Sequence, residues 1–300
     1  MKTSILPWGK RTFVMGVINI TPDSFSGDGL LADHPTQTGD PFEAALLQAR
    51  CFADEGADIL DIGGESTRPG GQPISEQEEL ARVIPVIKAI AAADLHLLIS
   101  VDTSKAVVAE SALEAGAHWI NDVWGLRADP AIAGVIARRR VPVIIMHNRS
   151  KPASAEVQTR LGGRYVGVKY SNLLEDIKFE LMESVELAHA AGIQDSNIIL
   201  DPGIGFGKTV EQNLEILNRV DELRSLGYPL LVGPSRKSFI GYTLDLPPDQ
   251  RLEGTAAAVV ISIARRVDIV RVHDVGKMVR VVRMADAIVR RKSSPVDRGE

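Results

Sequence analysis

Seven side chains in this sequence could together hold a flat, nitrogen-rich ligand with an anionic tail: Asn19, Asp102, Asn121, Asp201, Lys237, Arg271 and His273. Each stands where an apolar run stops. A carboxylate accepts two parallel hydrogen bonds from an amidine-like edge, and amides both donate and accept, so two acids and two amides suit a planar heterocycle with several N–H edges. Discrimination would be strong, because an unmatched buried partner costs roughly 1–3 kcal/mol. Arg271 and His273 occupy alternate positions of one strand, can face the same side, and suit an anion such as phosphate. The competing reading is that some of these carboxylates pair with Lys237 or Arg271 as ion pairs inside the fold. That accounts for one residue at a time better than for seven placed at strand ends.

The apolar runs recur along the chain. Residues 13–18 lead into Asn19-Ile20-Thr21-Pro22-Asp23-Ser24-Phe25-Ser26, 58–62 into Gly63-Gly64-Glu65-Ser66-Thr67-Arg68-Pro69-Gly70, and 97–101 into Asp102-Thr103-Ser104. Further on, 119–120 meet Asn121-Asp122, 141–146 meet His147-Asn148, and 198–200 meet Asp201-Pro202-Gly203. The last two lead to Pro234-Ser235-Arg236-Lys237-Ser238 and to Arg271-Val272-His273-Asp274. Helical patterns span 41–55, 75–92, 104–115, 170–191, 209–226, 254–265 and 275–291. Ser75 and Glu78 fit a capping box, and Gly56, Gly116 and Gly192 follow helix ends. Alternating strands and helices imply a parallel sheet with right-handed crossovers. Eight such transitions in 300 residues predict an α/β chain folded as a closed (β/α)8 TIM barrel, one domain over 1–300, with its site at the carboxyl ends of the strands. An open doubly wound sheet is the alternative.

Composition narrows the function. A 45% hydrophobic content over 300 residues can bury a large core, and no linker divides it. A net charge of −5 without a basic cluster argues against nucleic acid. The runs Arg138-Arg139-Arg140 and Arg290-Arg291-Lys292 read as a helix C-terminus and a solvated chain end. Residues 1–7 lack an apolar signal core, and the longest apolar stretch, 256–264, is too short to span a bilayer, so a soluble protein with no membrane partner is expected. The single cysteine, Cys51, cannot form an internal disulfide and reads as a small core residue, which places the chain in the cytoplasm. In that compartment the glycosylation triplets at Asn19 and Asn148 are chance.

One motif misleads. Gly203-Ile204-Gly205-Phe206-Gly207-Lys208-Thr209 follows a strand like a phosphate loop, but Pro202 occupies the position of the first glycine, so nucleoside triphosphate binding is not supported. The glycines read as a tight loop bringing backbone and Phe206 close to a flat ligand.

With these motifs in place, the chain resembles the dihydropteroate synthase family of the folate pathway. The resemblance runs from Met15-Gly16-Val17-Ile18-Asn19 through Asp61-Ile62-Gly63-Gly64-Glu65-Ser66-Thr67-Arg68-Pro69-Gly70 to Ser235-Arg236-Lys237 and Arg271-Val272-His273-Asp274. It implies a barrel, a homodimer, Mg2+ as cofactor, and sensitivity to sulfonamides. The implied reaction condenses 6-hydroxymethyl-7,8-dihydropterin diphosphate with p-aminobenzoate to give 7,8-dihydropteroate and diphosphate. Position by position, the resemblance puts the pterin among Asp102, Asn121, Met146, Asp201, Phe206 and Lys237. It puts the diphosphate at Asn19, Arg68, Arg271 and His273, with Asn19 also reaching the metal. It puts p-aminobenzoate at Thr67, Pro69, Lys237 and Ser238, and Phe25 and Asp28 in the first loop. Catalysis would fall to Asp102, Asp201, Lys237 and Arg271, because cations on the leaving diphosphate and carboxylates beside the ring stabilise a dissociative transition state. The attacking aromatic amine is already neutral and needs no strong general base. The first two loops, with their glycine and proline, would close over it.

Two loops depart from the family. Gly27 separates Ser26 from Asp28, so the place of Asp28 assumes that this insertion is absorbed. The fifth loop reads Met146-His147-Asn148-Arg149-Ser150-Lys151-Pro152 rather than the commoner Met-His-Met-Gln-Gly, which leaves His147 open to a structural or a functional role. The other histidines, His34, His96, His118 and His189, read as surface or packing residues. A non-catalytic pterin-binding paralogue keeps the same scaffold and stays open. A corrinoid-linked methyltransferase is disfavoured by the p-aminobenzoate elements.

Overall fold

Strands covered on both faces can be apolar throughout, and the strands that start at Phe13, Ile59, Leu98, Trp119, Val143, Ile198, Leu231 and Ile269 are buried almost without interruption. The computed structural model describes residues 6–20, 40–67, 71, 73–166 and 168–290. Among the described residues ten strands, in chain order, are β1 (Phe13–Asn19), β2 (Ile59–Gly63), β3 (Leu98–Asp102), β4 (Trp119–Asp122), β5 (Val143–Met146), β6 (Ala155–Gln158), β7 (Gly162–Tyr165), β8 (Ile198–Asp201), β9 (Leu231–Val232) and β10 (Ile269–Val272). Eight of them pair in parallel in the order β8-β5-β4-β3-β2-β1-β10-β9. A parallel bridge between Leu200 and Leu230 joins the two ends and closes the barrel. The expected (β/α)8 fold is therefore present. The remaining two, β6 and β7, form an antiparallel hairpin after β5 that the sequence reading did not anticipate.

The helices are α1 (Pro41–Glu55), α2 (Glu76–Ala92), α3 (Ala106–Ala115), α4 (Ile132–Arg139), α5 (Leu173–Ala191), α6 (Val210–Arg219), α7 (Ser238–Leu244), α8 (Leu252–Ala264) and α9 (Val275–Val289). Gly56, Gly116 and Gly192 take left-handed conformations at helix ends, as expected. The capping box expected at Ser75 is half present: Ser75 Oγ accepts from Glu78 N, but the Glu78 carboxylate accepts from Arg82. A complete box forms instead at Thr209 and Gln212. The helical stretch expected over 209–226 changes at Val220 into a tighter 3-10 segment, Val220–Leu226. Arg138 and Arg139 end α4 and pair with Glu110 of α3, which agrees with a helix C-terminus.

Two apolar layers result. Phe13, Met15, Ile59, Leu98, Trp119, Ile144, Ile199, Leu231 and Ile269 form a cluster inside the barrel. The Trp8 ring closes on it, 5.8 Å from Phe13 and 6.4 Å from Trp119. The larger layer lies between the strands and the helices. Cys51 is only half-buried on α1 and is not part of the core expected for it, whereas His118 Nδ1 accepts from Ile99 N at 3.0 Å, a packing role. No described helix is long and apolar enough to cross a membrane.

Parallel register then positions the chemistry. Asn19 pairs with Gly63, Gly63 with Asp102, and Asp102 with Asn121, so these residues form one row at the carboxyl ends of β1 to β4. On the other side of the barrel Met146 pairs with Asp201. Residues paired across adjacent strands point to the same face of a sheet. Three polar side chains of the row therefore share the barrel mouth, and the missing side chain of Gly63 leaves a gap between two of them.

Candidate active site

The floor of the mouth is an ion cluster. Arg271, from β10, donates through Nε to Asp61 Oδ2 at 2.6 Å and through Nη2 to Asp102 Oδ2 at 2.9 Å. Asn121 Nδ2 donates to the same Asp61 oxygen at 2.8 Å. Asp61 Oδ1 is buried with no protein partner. Burial, with the neighbouring Asp61, raises Asp102 to about 7, against the pull of Arg271. Arg271 itself is held above its ordinary value, because the two carboxylates outweigh its burial. Some of the expected site residues thus do form a barrel ion cluster, and they do so at the open end, one layer above the apolar interior.

Asp201 supplies a second acid. Its Oδ1 accepts from Gly203 N at 2.7 Å, and burial raises its pKa despite nearby Lys237. Lys237 donates to the Ile204 carbonyl, and its Nζ lies 4.6 Å from the centre of the Phe206 ring. Burial lowers it to about 8. Loop 201–209 therefore delivers an acceptor, an aromatic face and a lysine contact to one place. Two glycines make this possible. Gly203 has φ +70° and a Cβ there would lie 1.9 Å from the His147 carbonyl oxygen; Gly207 has φ +62° and its Cβ would lie 2.2 Å from the Arg149 carbonyl carbon. Side chains would disfavour both the conformation and the close approach.

Beneath that loop lies a network that settles the place of His147. Its side chain is 1% exposed, with Nδ1 2.9 Å from Lys208 Nζ and Nε2 3.0 Å from Glu180. A carboxylate can only accept, so Nε2 carries the hydrogen and Nδ1 accepts from Lys208. Lys208 also donates to the Phe206 carbonyl at 2.9 Å. Arg149 grips Glu180 and stacks 4.1 Å above Tyr170, whose hydroxyl donates to the Gly207 carbonyl. Burial lowers His147 to about 4. Glu180 resists its own burial because His147 and Arg149 hydrogen-bond it, which brings it down to about 2. His147 is thus a structural link between the fifth and sixth loops.

At the opposite edge, a Cβ on Gly63 would lie 3.6 Å from Asn19 Oδ1 and 3.8 Å from Asp102 Oδ2, so two hard oxygens flank one gap. His273 lies one residue beyond β10 and binds Ser235 Oγ through N and Nδ1, each at 3.1 Å. Met146 and Asn121 are buried; Phe206, Lys237, Ser238 and Thr67 are half-buried. Arg68, Pro69, Phe25, Asp28 and His34 lie outside the described residues.

Three polar residues near the site escaped the sequence reading. Asp61 sits inside an apolar strand, and a carboxylate in such a run was the available signal. Lys208 sits in the misleading phosphate-loop motif, which hides its burial. Glu180 lies mid-helix without any mark of burial.

Comparison with known proteins agrees with this geometry. A family model described as "Pterin binding enzyme" matches residues 15–273. A dihydropteroate synthase from Clostridium beijerinckii is 48% identical over 284 residues, covering 94% of this chain and 96% of that protein. One from Bacillus subtilis is 48% identical over 288 residues, covering 96% and 92%. The crystal structure of a dihydropteroate synthase from Clostridium difficile in the presence of pteroic acid superposes with a TM-score of 0.84 at 46% identity, covering 96% of this chain and 100% of that one.

The His147 network has a pH signature. The unfolded residue takes a proton below its ordinary 6.5, whereas the folded one resists until about 4, so stability falls as pH drops through that window. His147→Gln can keep both hydrogen bonds and cannot titrate. Urea midpoints should show the wild type losing on the order of 3 kcal/mol relative to this variant across the window. Parallel stability profiles for the two proteins would remove His147 from the acid response.

Proposed function

The chain belongs to the pterin binding enzyme family and acts as a dihydropteroate synthase in folate biosynthesis; from that premise we propose how its barrel mouth carries out the condensation. The observation that carries the proposal is that the strand ends bring two acids whose pKa burial raises, Asp102 and Asp201, to one barrel mouth with Asn121, while Lys237 lies over the Phe206 ring. Asp201 accepts from the guanidine-like edge of the pterin, Asn121 and Asp102 meet the rest of the ring, and Met146 and Phe206 cover its faces. Lys237 lies at the junction of the pterin and p-aminobenzoate subsites, with Thr67 and Ser238 on the p-aminobenzoate side. Arg271, His273 and Asn19 take the diphosphate.

Bond breaking comes first. The carbon–oxygen bond to diphosphate opens, the pterin methylene becomes electron-poor, and the carboxylates beside the ring stabilise the positive charge while Arg271 follows the leaving anion. The neutral amine of p-aminobenzoate then forms the carbon–nitrogen bond and releases its proton. Water must be excluded from the electron-poor methylene, and the buried floor of Asp61, Asn121 and Met146 serves that end.

Mg2+ belongs to this proposal. The donors fit in kind, because Asn19 Oδ1 beside Asp102 Oδ2 at the Gly63 gap offers hard oxygens, and Mg2+ prefers few protein ligands together with phosphate oxygens and water. Among the described residues no cluster of three or more His, Cys, Asp or Glu offers an all-protein site. When bound, the ion would supply positive charge to the departing diphosphate. A homodimer, a cytoplasmic location and competition by sulfonamides at the p-aminobenzoate subsite complete the proposal and rest on the family resemblance.

Diphosphate release should require both substrates, and in that assay Asp201→Asn should lose about 30- to 1000-fold in kcat/KM, because an amide donor replaces the acceptor that the ring edge needs. Activity within threefold of wild type would take Asp201 out of the pterin contact. The profile of kcat/KM against pH should fall on its alkaline side as Lys237 loses its proton near 8. Lys237→Arg, which stays charged, should abolish only the alkaline fall; an unchanged profile assigns that fall to another group. Chelation should stop turnover and Mg2+ restore it, whereas full activity of metal-free protein in excess chelator excludes the metal.

A further inference from the structure

A buried arginine outside the reacting site hydrogen-bonds the segment that forms one wall of it. Arg251 is 2% exposed and lies just before α8. Its three donor nitrogens are spent on backbone carbonyls from three separate segments: Nη1 on Arg236 at 2.9 Å, Nη2 on Leu161 at 2.9 Å, and Nε on Leu246 at 3.1 Å. Burial of a guanidinium is costly unless its donors are satisfied, and a planar fork can meet several fixed acceptors at once.

The acceptor that matters is Arg236. Its backbone sits in the left-handed region at φ 57°, which a non-glycine residue adopts only where its surroundings enforce it. The first turn of α8 enforces it from both sides. Arg251 holds the Arg236 carbonyl, and Thr255, fully buried one turn later, accepts from Arg236 N at 3.1 Å. Asp274 fixes the side chain through two hydrogen bonds of 2.9 and 2.7 Å. The next two residues are Lys237 and Ser238, at the start of α7. Their direction out of the strand end is set by the Arg236 dihedrals.

We propose that Arg251 is a positioning residue for the p-aminobenzoate side of the pocket, which holds Arg236 in its left-handed conformation so that Lys237 and Ser238 point into the site. The same guanidinium ties that wall to the hairpin of the fifth loop through Leu161, so hairpin and wall move as one unit. The proposal rests on the assignment of Lys237 and Ser238 given above. Gly241 supplies an independent handle. It lies within α7 over the guanidinium, and a Cβ there would fall 2.1 Å from Arg251 Nη2. Alanine suits a helix better than glycine does, so Gly241→Ala disturbs the arginine without weakening the helix locally.

The test separates positioning from folding. A purely structural loss lowers the fraction of active protein, and therefore kcat, while KM of the molecules that remain folded is unchanged. Arg251→Lys, whose single ammonium cannot reach three carbonyls, should raise KM for p-aminobenzoate by about 10- to 100-fold at saturating pterin diphosphate, as expected for a contact misplaced by roughly 1 Å. Gly241→Ala should shift KM in the same direction. Hydrogen exchange should quicken at 160–165 and 235–239 while the barrel strands keep their protection. An unchanged KM in the folded variants overturns the proposal, whatever happens to kcat. If Arg251→Lys does not fold, Gly241→Ala decides alone. Ser238→Ala runs alongside with Arg251 intact: if that variant leaves KM for p-aminobenzoate unmoved, the fault lies in the assignment of the subsite and not in the role of Arg251.

Discussion

Two carboxylates cannot stay ionised side by side above an apolar barrel interior without a cation between them, and Arg271 is that cation. It reaches Asp61 and Asp102 at once, and Asn121 adds a donor to Asp61. Breaking such a group by removing one member leaves an uncompensated charge, which is far costlier than never having built it. The rest of the mouth follows from this cluster. It ties together the Asp102 and Asn121 ends of the row that strand register lays down, it gives the pocket a polar floor over hydrocarbon, and it leaves Asp61 Oδ1 as an unclaimed buried acceptor.

The acids differ in readiness because their partners differ. Asp102 shares its cation with Asp61 and is raised to about 7, so its charge is loosely held. Asp201 has Gly203 N and the field of Lys237, and it retains an oxygen for a ligand. A ligand that brings N–H groups and partial positive charge stabilises both carboxylates when it binds, so recognition and the support of an electron-poor transition state come from the same contacts.

Much of this was legible in the chain because strand-end polarity is a local pattern. An apolar run followed at once by Asn19, Asp102, Asn121, Asp201 or Arg271 marks both a barrel strand and its ligand-facing end, and register does the rest. The missed elements lack such a pattern. The hairpin strands Ala155–Gln158 and Gly162–Tyr165 are short and mostly exposed, and their place is set by Arg160 reaching Asp245, Arg164 stacking on Tyr242, and Arg251 reaching Leu161. Helix α7 has only seven residues and directly follows the site residues, so it reads as loop. Asp61 and Arg251 are charged residues whose meaning depends on burial. Burial of a lone charge is decided by partners distant in sequence, here 210 residues from Arg271 and 90 from Leu161.

Arg251 shares a logic with Lys237 and Lys208. Lys237 donates to the Ile204 carbonyl, Lys208 to the Phe206 carbonyl and to His147, and Arg251 to three carbonyls. None of these contacts is with a carboxylate. A carbonyl satisfies a donor without neutralising it and without consuming an acid that the ligand needs. Had Lys237 or Lys208 closed onto Asp201, any ligand seeking that acceptor would have to compete with a full charge. Spending backbone carbonyls instead pins the loops and keeps the carboxylates open, so one set of hydrogen bonds both stiffens the wall of the pocket and preserves its chemistry.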